Sequence, residues 1–207
     1  MSSIALVGAG GHGKVVAEIA ELNGYSKIVF FDDKYPQLEK VGSWPIEGLI
    51  KNLKQRSKDF NEVIVTIGDN LTRANFADEF GGIAKMAKLI HPSAVVSRLA
   101  NVLPGTVVMA KAVVNPYATV EANVIVNTSA VIDHDCKVHE ASHISPGAIL
   151  AGNVTVGSKS WVGLGAKLLE GVTIGDGVIV GAGSVVTSNF PDGVLLTGVP
   201  ARVKRQI

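Results

Sequence analysis

Aliphatic residues recur at every sixth position over most of the second half of the chain. The series starts at Ile90, ends at Val186 and keeps its register throughout. Its members are Ile90, Val96, Val102, Val108, Val114, Val120, Val126, Ile132, Val138, Ile144, Leu150, Val156, Val162, Leu168, Ile174, Val180 and Val186. A fixed period over this length predicts a solenoid, because each short unit buries its aliphatic residue by stacking on its neighbours.

A second series lies four residues after the first and holds Ala, Ser, Thr, Val or Cys at every position except Phe190. The alternation of large and small residues predicts a narrow tube, in which Cys136 is a buried filler rather than a nucleophile. Three six-residue units make a triangular coil, so residues 18 apart should stack, and the series gives a little under six coils. A helix does not fit, because its period is about 3.6 residues.

The first 89 residues have a different pattern, in which short apolar runs alternate with helical spacing. An apolar strand at residues 4–7 leads into a glycine-rich loop, a helix at 14–22 and a second strand at 28–31. This order of elements is the context in which a GxGxxG pattern is informative, because the glycines let backbone N–H groups approach a phosphate.

The elements between the second strand and the solenoid are less regular. We expect a loop and then a short helix at residues 49–56, a third strand at 62–67 and a fourth at 85–90. Between the last two lies a helix that ends at Phe80 and is capped by Asp69 or Asn70. Residues 1–89 therefore form a βαβαβ unit of about half a dinucleotide-binding fold, and residues 90–207 form the solenoid with a C-terminal tail. Because NAD needs both halves of a dinucleotide-binding fold, a unit of this size favours a mononucleotide ligand.

Candidate ligands of the nucleotide lie around the glycine loop and at the strand ends. They are Gly10, Gly11, His12 and Gly13 in the loop, Asp32 and Asp33 after the second strand, and Gly68 after the third. Either aspartate is placed to accept hydrogen bonds from ribose hydroxyls.

Composition narrows the function classes. The net charge of +1 is too small to indicate the positively charged surface that a nucleic-acid-binding protein needs. The single cysteine excludes a disulfide framework and suits a reducing compartment, so we expect a cytoplasmic protein. We expect no membrane span, because no apolar run approaches the ~20 residues needed.

Six motifs together resemble the hexapeptide-repeat acyltransferases. They are GAGGHGK (8–14), FDD (31–33), IGDN (67–70), NTSAVIDHDC (127–136), SHISPGA (142–148) and GVPA (198–201). More narrowly, the chain is similar to the nucleotide-4-amino-sugar N-acetyltransferases and sialic acid O-acetyltransferases. The resemblance implies an N-terminal α/β unit of half-Rossmann type followed by a left-handed parallel β-helix, with acetyl-CoA as cosubstrate and no metal. It also implies a homotrimer with active sites between neighbouring subunits.

The resemblance carries roles onto particular residues. The catalytic base maps onto His134, with Asp135 as its acidic neighbour. Acetyl-CoA contacts are expected at His143, Gly152, Lys167 and Pro200. His139 stands where the family commonly has a small residue, and no role is carried onto it.

The chemistry of acetyl transfer suits these residues. A histidine removes the amine proton near neutral pH, because its ordinary pKa lies there. The backbone N–H of Gly152, one coil above His134, is an oxyanion donor. Asp133 competes with Asp135 for the role of orienting His134, and the sequence leaves both open.

We therefore predict an acetyl-CoA-dependent N-acetyltransferase acting on a nucleotide-linked 4-amino-4,6-dideoxy sugar for surface glycan. The alternatives are an O-acetyltransferase for a sialic acid-type sugar and a non-catalytic nucleotide-binding partner of a glycan-biosynthesis enzyme. The sequence leaves the nucleotide base open among uracil, thymine and guanine.

Overall fold

The computed structural model describes residues 2–207, which divide into two compact units with the boundary between Pro92 and Ser93. The sequence predicted the boundary three residues earlier, between residues 89 and 90. The first unit is an α/β unit, and the second is a parallel β-helix of about six turns that matches the left-handed type. The fold class predicted from the sequence is therefore confirmed.

The first unit alternates strands and helices along the chain. Its elements are β1 (Ser3–Val7), α1 (Gly11–Leu22), β2 (Lys27–Phe31), β3 (Lys40–Val41), β4 (Trp44–Pro45), α2 (Ile50–Arg56), a 3-10 turn (Ser57–Asp59), β5 (Glu62–Val65), α3 (Asn70–Gly81) and β6 (Leu89–Ile90). Strands β2, β1 and β5 form a parallel sheet in that order. Strand β1 is buried along its whole length, which explains why it reads as a continuous apolar run.

Helices on the sheet supply the core of this unit. Phe31 of β2 packs edge-on against Phe60, and Leu53 of α2 and Phe80 of α3 are fully buried in the same cluster. This arrangement places the carboxyl ends of β1, β2 and β5 at one edge of the sheet, which is where open α/β sheets bind ligands.

Four details differ from the sequence prediction. Helix α1 begins at Gly11 rather than at residue 14, so the last three residues of the glycine loop are already helical. Strand β5 ends at Val65, because the Thr66 hydroxyl turns the chain by donating to the carbonyls of Val7 and Gly8. Residues 85–90 form only a bridge at Met86 and the two-residue strand β6. The hairpin β3–β4 was not predicted.

The solenoid is built from two-residue strands separated by turns. They are β7 (Val95–Val96), β8 (Asn101–Val102), β9 (Val107–Val108), β10 (Val113–Val114), β11 (Thr119–Val120), β12 (Ile125–Val126), β13 (Val131–Ile132), β14 (Lys137–Val138), β15 (His143–Ile144), β16 (Ile149–Leu150), β17 (Thr155–Val156), β18 (Trp161–Val162), β19 (Lys167–Leu168), β20 (Thr173–Ile174), β21 (Ile179–Val180) and β22 (Val185–Val186). The second residue of each strand from β8 to β22 is the aliphatic member of the predicted series and is at most 6% exposed. Parallel pairing joins Val114 to Ile132 and Ile132 to Leu150, so residues 18 apart stack as expected.

The first residue of each strand points away from the tube and gives each face its chemistry. We call one side the valine face, which presents Val95, Val113, Val131, Ile149, Lys167 and Val185. We call the next the threonine face, which presents Asn101, Thr119, Lys137, Thr155 and Thr173. The third, the tryptophan face, carries Val107, Ile125, His143, Trp161 and Ile179, of which Val107 and Ile125 are buried.

Small residues inside the tube also tie one coil to the next. The side chains of Thr106, Cys136, Ser142 and Ser160 each donate to the carbonyl 15 residues later. These contacts explain why a tube of aliphatic residues accepts hydroxyl and thiol groups at buried positions, since each polar atom has a partner.

An antiparallel hairpin closes the solenoid, formed by β23 (Val194–Gly198) and β24 (Ala201–Gln206). Strand β23 continues the tryptophan face by pairing with β21. The predicted C-terminal tail is thus a strand pair.

Candidate active site

His134 occupies the corner of the solenoid between the valine and threonine faces, in the turn from β13 to β14. Asp133 fixes this turn, because its Oδ1 accepts from the Asn115 side chain at 2.7 Å and from the His134 N–H at 2.8 Å. Asp135 holds a left-handed backbone conformation with φ of 61°, which lets the chain turn toward β14. The imidazole therefore leaves the tube at a corner defined by three consecutive polar residues.

Asp135 is the residue that orients the imidazole. Its Oδ2 lies 2.9 Å from His134 Nδ1, and this hydrogen bond raises the pKa of His134. The carboxylate acceptor places the proton on Nδ1 in the neutral ring, so the lone pair of Nε2 points outward. Asp133 is occupied by backbone and amide donors and does not compete for the ring.

Gly152 lies directly over the imidazole. A Cβ at this position would come within 2.5 Å of His134 Cε1 and 2.6 Å of Nε2, so only glycine leaves room for the ring. The Gly152 N–H has no hydrogen-bond acceptor within residues 2–207. The other side of the same peptide is held from inside the tube, where Cys136 Sγ donates to the Ala151 carbonyl at 3.1 Å.

The thiol of Cys136 is structural. It is fully buried, and burial raises its pKa, so the thiolate that nucleophilic catalysis requires is disfavoured. This agrees with the filler role that the repeat predicts.

His143 lies on the tryptophan face and stacks on Trp161, with ring centroids 5.5 Å apart and planes inclined by 10°. Its Nε2 lies 3.0 Å from the Asn127 amide nitrogen, and Trp161 Nε1 donates to Ser145 Oγ at 2.6 Å. Beside the tryptophan is an apolar cavity of about 210 Å³, lined by Ser145, Trp161, Gly163, Leu164, Ile179, Val180, Gly181 and Ala182. The sequence predicted His143 but not this cavity, because the lining residues come from three successive coils.

The two histidines lie on opposite sides of the same solenoid. His134 is at the corner between the valine and threonine faces, and the tryptophan face with His143 is the third side of the triangle. Lys167 projects from the valine face, and Pro200 lies in the turn between β23 and β24. A single chain therefore does not bring the four predicted acetyl-CoA contacts together.

The first unit holds a separate cavity of about 600 Å³ at the carboxyl edge of its sheet. Its lining comprises Gly8, Gly10, Gly11, His12, Asp32, Asp33, Lys34, Ile50, Thr66, Ile67, Gly68 and Phe76. Six of the seven predicted nucleotide ligands are in this set. The missing one is Gly13, which is buried below the turn, where a Cβ would lie 2.5 Å from the Gly8 carbonyl.

The two aspartates are partly used by the fold. Asp32 Oδ2 accepts from the Ala9 N–H at 2.7 Å and its Oδ1 from the Lys34 N–H at 2.8 Å. Asp33 Oδ1 accepts from the Ile50 N–H at 3.1 Å. The carboxylates thus fasten the glycine turn and the start of α2 to the end of β2, and they also line the cavity.

Within residues 2–207 no cluster of three or more His, Cys, Asp or Glu side chains is placed to hold a metal ion. The same part of the chain contains no helix with the length and apolar character to cross a bilayer.

Both units match known families. A family model described as PglD N-terminal domain matches residues 3–80, and one described as bacterial transferase hexapeptide (six repeats) matches residues 153–188. The acetyltransferase domain of PglB from Neisseria gonorrhoeae FA1090, solved with acetyl coenzyme A, is 42% identical, with a TM-score of 0.94 over 97% of this chain and 98% of that chain. PerB from Caulobacter crescentus, solved with CoA and GDP-perosamine, is 37% identical, with a TM-score of 0.94 over 99% of this chain and 98% of that chain.

A curated relative matches over a shorter region. UDP-N-acetylbacillosamine N-acetyltransferase of Bacillus subtilis (strain 168) is 37% identical over 114 residues, which is 53% of this chain and 52% of the relative. The chain thus spans about half the length of this relative.

The fold, the histidine corner and these matches define a class, the hexapeptide-repeat acyltransferases that carry an N-terminal PglD domain. Within it, the chain belongs to the family of nucleotide-linked amino-sugar N-acetyltransferases that includes the PglB acetyltransferase domain and PerB.

Proposed function

We propose that this protein transfers the acetyl group of acetyl-CoA to the amine of a nucleotide-linked amino sugar, with a 4-amino-4,6-dideoxy sugar as the acceptor. The observation that carries the proposal is the arrangement of His134, with Nδ1 held by Asp135, Nε2 facing outward and Gly152 above the ring. The relatives that were solved with acetyl coenzyme A, or with CoA and GDP-perosamine, support this choice of donor and acceptor.

The reaction is a direct transfer. The sugar nitrogen attacks the thioester carbonyl carbon, and the N–H of Gly152 donates to the oxyanion that forms. Nε2 of His134 takes the proton that the nitrogen loses, and the C–S bond then breaks to give the amide and the CoA thiolate. The imidazolium returns its proton to the sulfur. An acyl-enzyme on Cys136 is not part of the scheme, since that thiol is fully buried.

The N-terminal unit binds the nucleotide part of the acceptor. Its cavity lies at the amino terminus of α1, where the first N–H groups of a helix have no partner in the helix and the helix dipole favours a phosphate. The cavity of about 600 Å³ is large enough for one nucleotide.

The active unit is a trimer in our proposal. The valine face exposes Val95 by 64% and Ile149 by 38%, and an apolar strip of this kind, which runs from Val95 to Ile149, is typical of an interface. The strip borders the corner that carries His134. Packing of neighbouring solenoids on this face would bring the His134 corner of one copy toward the tryptophan face of another. Residues of two copies would then form one acetyl-CoA site, with His134 and Gly152 from one and His143 from the other.

We place the reaction in the cytoplasm, because the free thiol of Cys136 suits a reducing compartment.

The test is release of free CoA from acetyl-CoA in the presence of UDP-, GDP- and dTDP-linked amino sugars. We expect His134→Ala to reduce turnover on the best acceptor at least ~100-fold, since it removes the base. His139→Ala is the matched control, because His139 lies in the same coil and is paired with Glu121 at 3.1 Å. Turnover by His134→Ala within about threefold of the wild type, or no release with any acceptor, would refute the proposal.

A further inference from the structure

Arg73 is the largest fully buried side chain among residues 2–207, and the acetyl-transfer mechanism gives it no role. It lies in the first turn of α3 and is 1% exposed. Burial lowers the pKa of Arg73 to about 10, which still leaves the guanidinium charged at neutral pH. Burying a cation is costly unless its hydrogen-bond donors are used, so the partners of Arg73 indicate what it does.

The guanidinium is directed at the loop that precedes α3. Its Nη1 donates to the carbonyls of Ile67 and Gly68, both at 3.0 Å, and its Nη2 donates to Asn70 Oδ1 at 2.8 Å. A planar fork suits this set of oxygens, whereas the single ammonium of a lysine does not reproduce it.

These contacts fix the direction of two peptide groups. The only cis peptide bonds within residues 2–207 precede Pro36 and Pro200, so the peptides that follow Ile67 and Gly68 are trans. In a planar trans peptide the C=O and the N–H point in opposite directions. Because both carbonyls point into the protein toward Arg73, the N–H groups of Gly68 and Asp69 point to the exposed side of the loop.

That side of the loop is the wall of the nucleotide cavity, which Ile67 and Gly68 line. Neither the Gly68 N–H nor the Asp69 N–H has an acceptor within residues 2–207. Asp69 does not fill the space with its own carboxylate, because its Oδ1 caps α3 by accepting from the Thr72 N–H at 2.8 Å. Two oriented N–H donors therefore stand at the amino terminus of α3, in the loop whose Gly68 lines the same cavity as the glycine turn at α1.

We propose that Arg73 is a positioning residue for the acceptor site, which holds the Gly68 and Asp69 N–H groups toward the diphosphate of the nucleotide sugar. The diphosphate then lies between two helix amino termini, with the glycine turn of α1 on one side and the Arg73-supported loop on the other. This rests on the proposed function, because it requires that the cavity hold a nucleoside diphosphate.

The experiment measures dissociation constants by calorimetry for UDP and GDP and for the nucleosides uridine and guanosine. For the diphosphate that the wild type prefers, we expect Arg73→Lys to weaken binding about tenfold or more, because charge-assisted and oriented hydrogen bonds are lost. Binding of the matching nucleoside should change less than about twofold, since it has no phosphate to lose contact with. At a saturating acceptor the turnover number should stay within about threefold of the wild type, so the effect falls on KM.

Phe80→Leu is the matched control. Phe80 is fully buried in the same unit, and its side chain donates no hydrogen bond to the Ile67 or Gly68 carbonyl, so its replacement lowers the melting temperature without changing the preference for diphosphate over nucleoside. If Arg73→Lys does not fold, Asn70→Ala replaces it, since this variant removes the Asn70 Oδ1 that accepts from Nη2 of the guanidinium. We expect about a threefold weakening that is again specific to the diphosphate.

Diphosphate binding within twofold of the wild type in the folded variant would overturn the inference, as would an equal loss for nucleoside and diphosphate. A wild type that binds no nucleoside diphosphate would instead contradict the proposed acceptor.

Discussion

At the scale of single residues, the acid beside His134 decides its chemistry. The sequence offers two aspartates at equal distance along the chain, and only their hydrogen bonds separate them. Asp133 accepts from two donors of its own corner, whereas Asp135 reaches Nδ1 at 2.9 Å. In the proposed mechanism the base and its orienting acid are therefore His134 and Asp135, and Asp133 supports the turn.

The first prediction concerns Asp135→Asn. Asn accepts the left-handed backbone that Asp135 adopts, so the corner should keep its shape. Asp135 raises the pKa of His134, and the base works only as neutral imidazole. The wild-type rate should therefore rise with pH through a pKa above the ordinary histidine value, and in Asp135→Asn this limb should move to lower pH. We also expect turnover on the plateau to fall at least about tenfold, because the ring loses its orientation.

The measurement is the pH dependence of turnover at saturating substrates, with melting temperatures recorded in parallel. An acid limb that stays in place, together with an unchanged plateau, would show that Asp135 does not orient the base.

At the scale of elements, the glycine turn combines two different uses of glycine. Gly10 and Gly11 face the cavity, and no atom lies within 4 Å of a Cβ built on either. Gly13 is needed for packing, since its Cβ would meet the Gly8 carbonyl at 2.5 Å and Phe30 Cε1 at 3.0 Å. The motif therefore forms part of the cavity wall with Gly10 and Gly11 and a close helix-to-strand contact with Gly13.

A second prediction separates these uses through stability. Gly13→Ala should destabilise the N-terminal unit by about 1–3 kcal/mol, because it forces α1 away from β1. Gly11→Ala should be neutral or stabilise it by up to about 1 kcal/mol, because Gly11 is helical and has free space. Urea unfolding followed by circular dichroism compares the two variants. Equal losses of stability would contradict this division of roles.

At the scale of the whole molecule, the solenoid is a triangular prism whose three faces differ in polarity. The threonine face is suited to solvent, while the valine face is an apolar strip interrupted by Lys167. His134 stands at the corner between them, and His143 lies on the remaining side. A donor site that uses both histidines requires more than one copy of the chain.

The third prediction tests that assembly. Ile149→Lys introduces a charge in the middle of the valine face and should convert the proposed trimer to monomer, with turnover reduced at least about tenfold, because a buried unpaired charge opposes association. Thr155→Lys places the same charge on the threonine face of the next strand and should leave both mass and turnover unchanged. Light scattering after size-exclusion chromatography reports the mass. A trimeric, active Ile149→Lys variant would rule out the valine face as the interface.

Much of the architecture follows from the sequence because it depends on local periodicity. The sixfold repeat determines the coil, the inward residues from Val102 to Val186 and the stacking of Gly152 over His134. The strand, glycine and helix order likewise predicts the glycine turn at the start of α1 with Asp32 close to it. The predicted ends of helices and strands were less accurate. The end of β5, for example, depends on tertiary contacts such as the hydrogen bond from the Thr66 hydroxyl to the Gly8 carbonyl.

Only the tertiary structure decided the matters that depend on residues far apart in the chain. It showed that Asp135 rather than Asp133 is hydrogen-bonded to the His134 ring. It also showed that the ring of His143 stacks on that of Trp161, which is 18 residues later in the chain. It also placed the buried charge of Arg73 behind the loop at Gly68. The physical reason is the same in each case. A repeat records which way a side chain points, whereas a hydrogen bond or a shared cavity requires distances that sequence spacing does not contain.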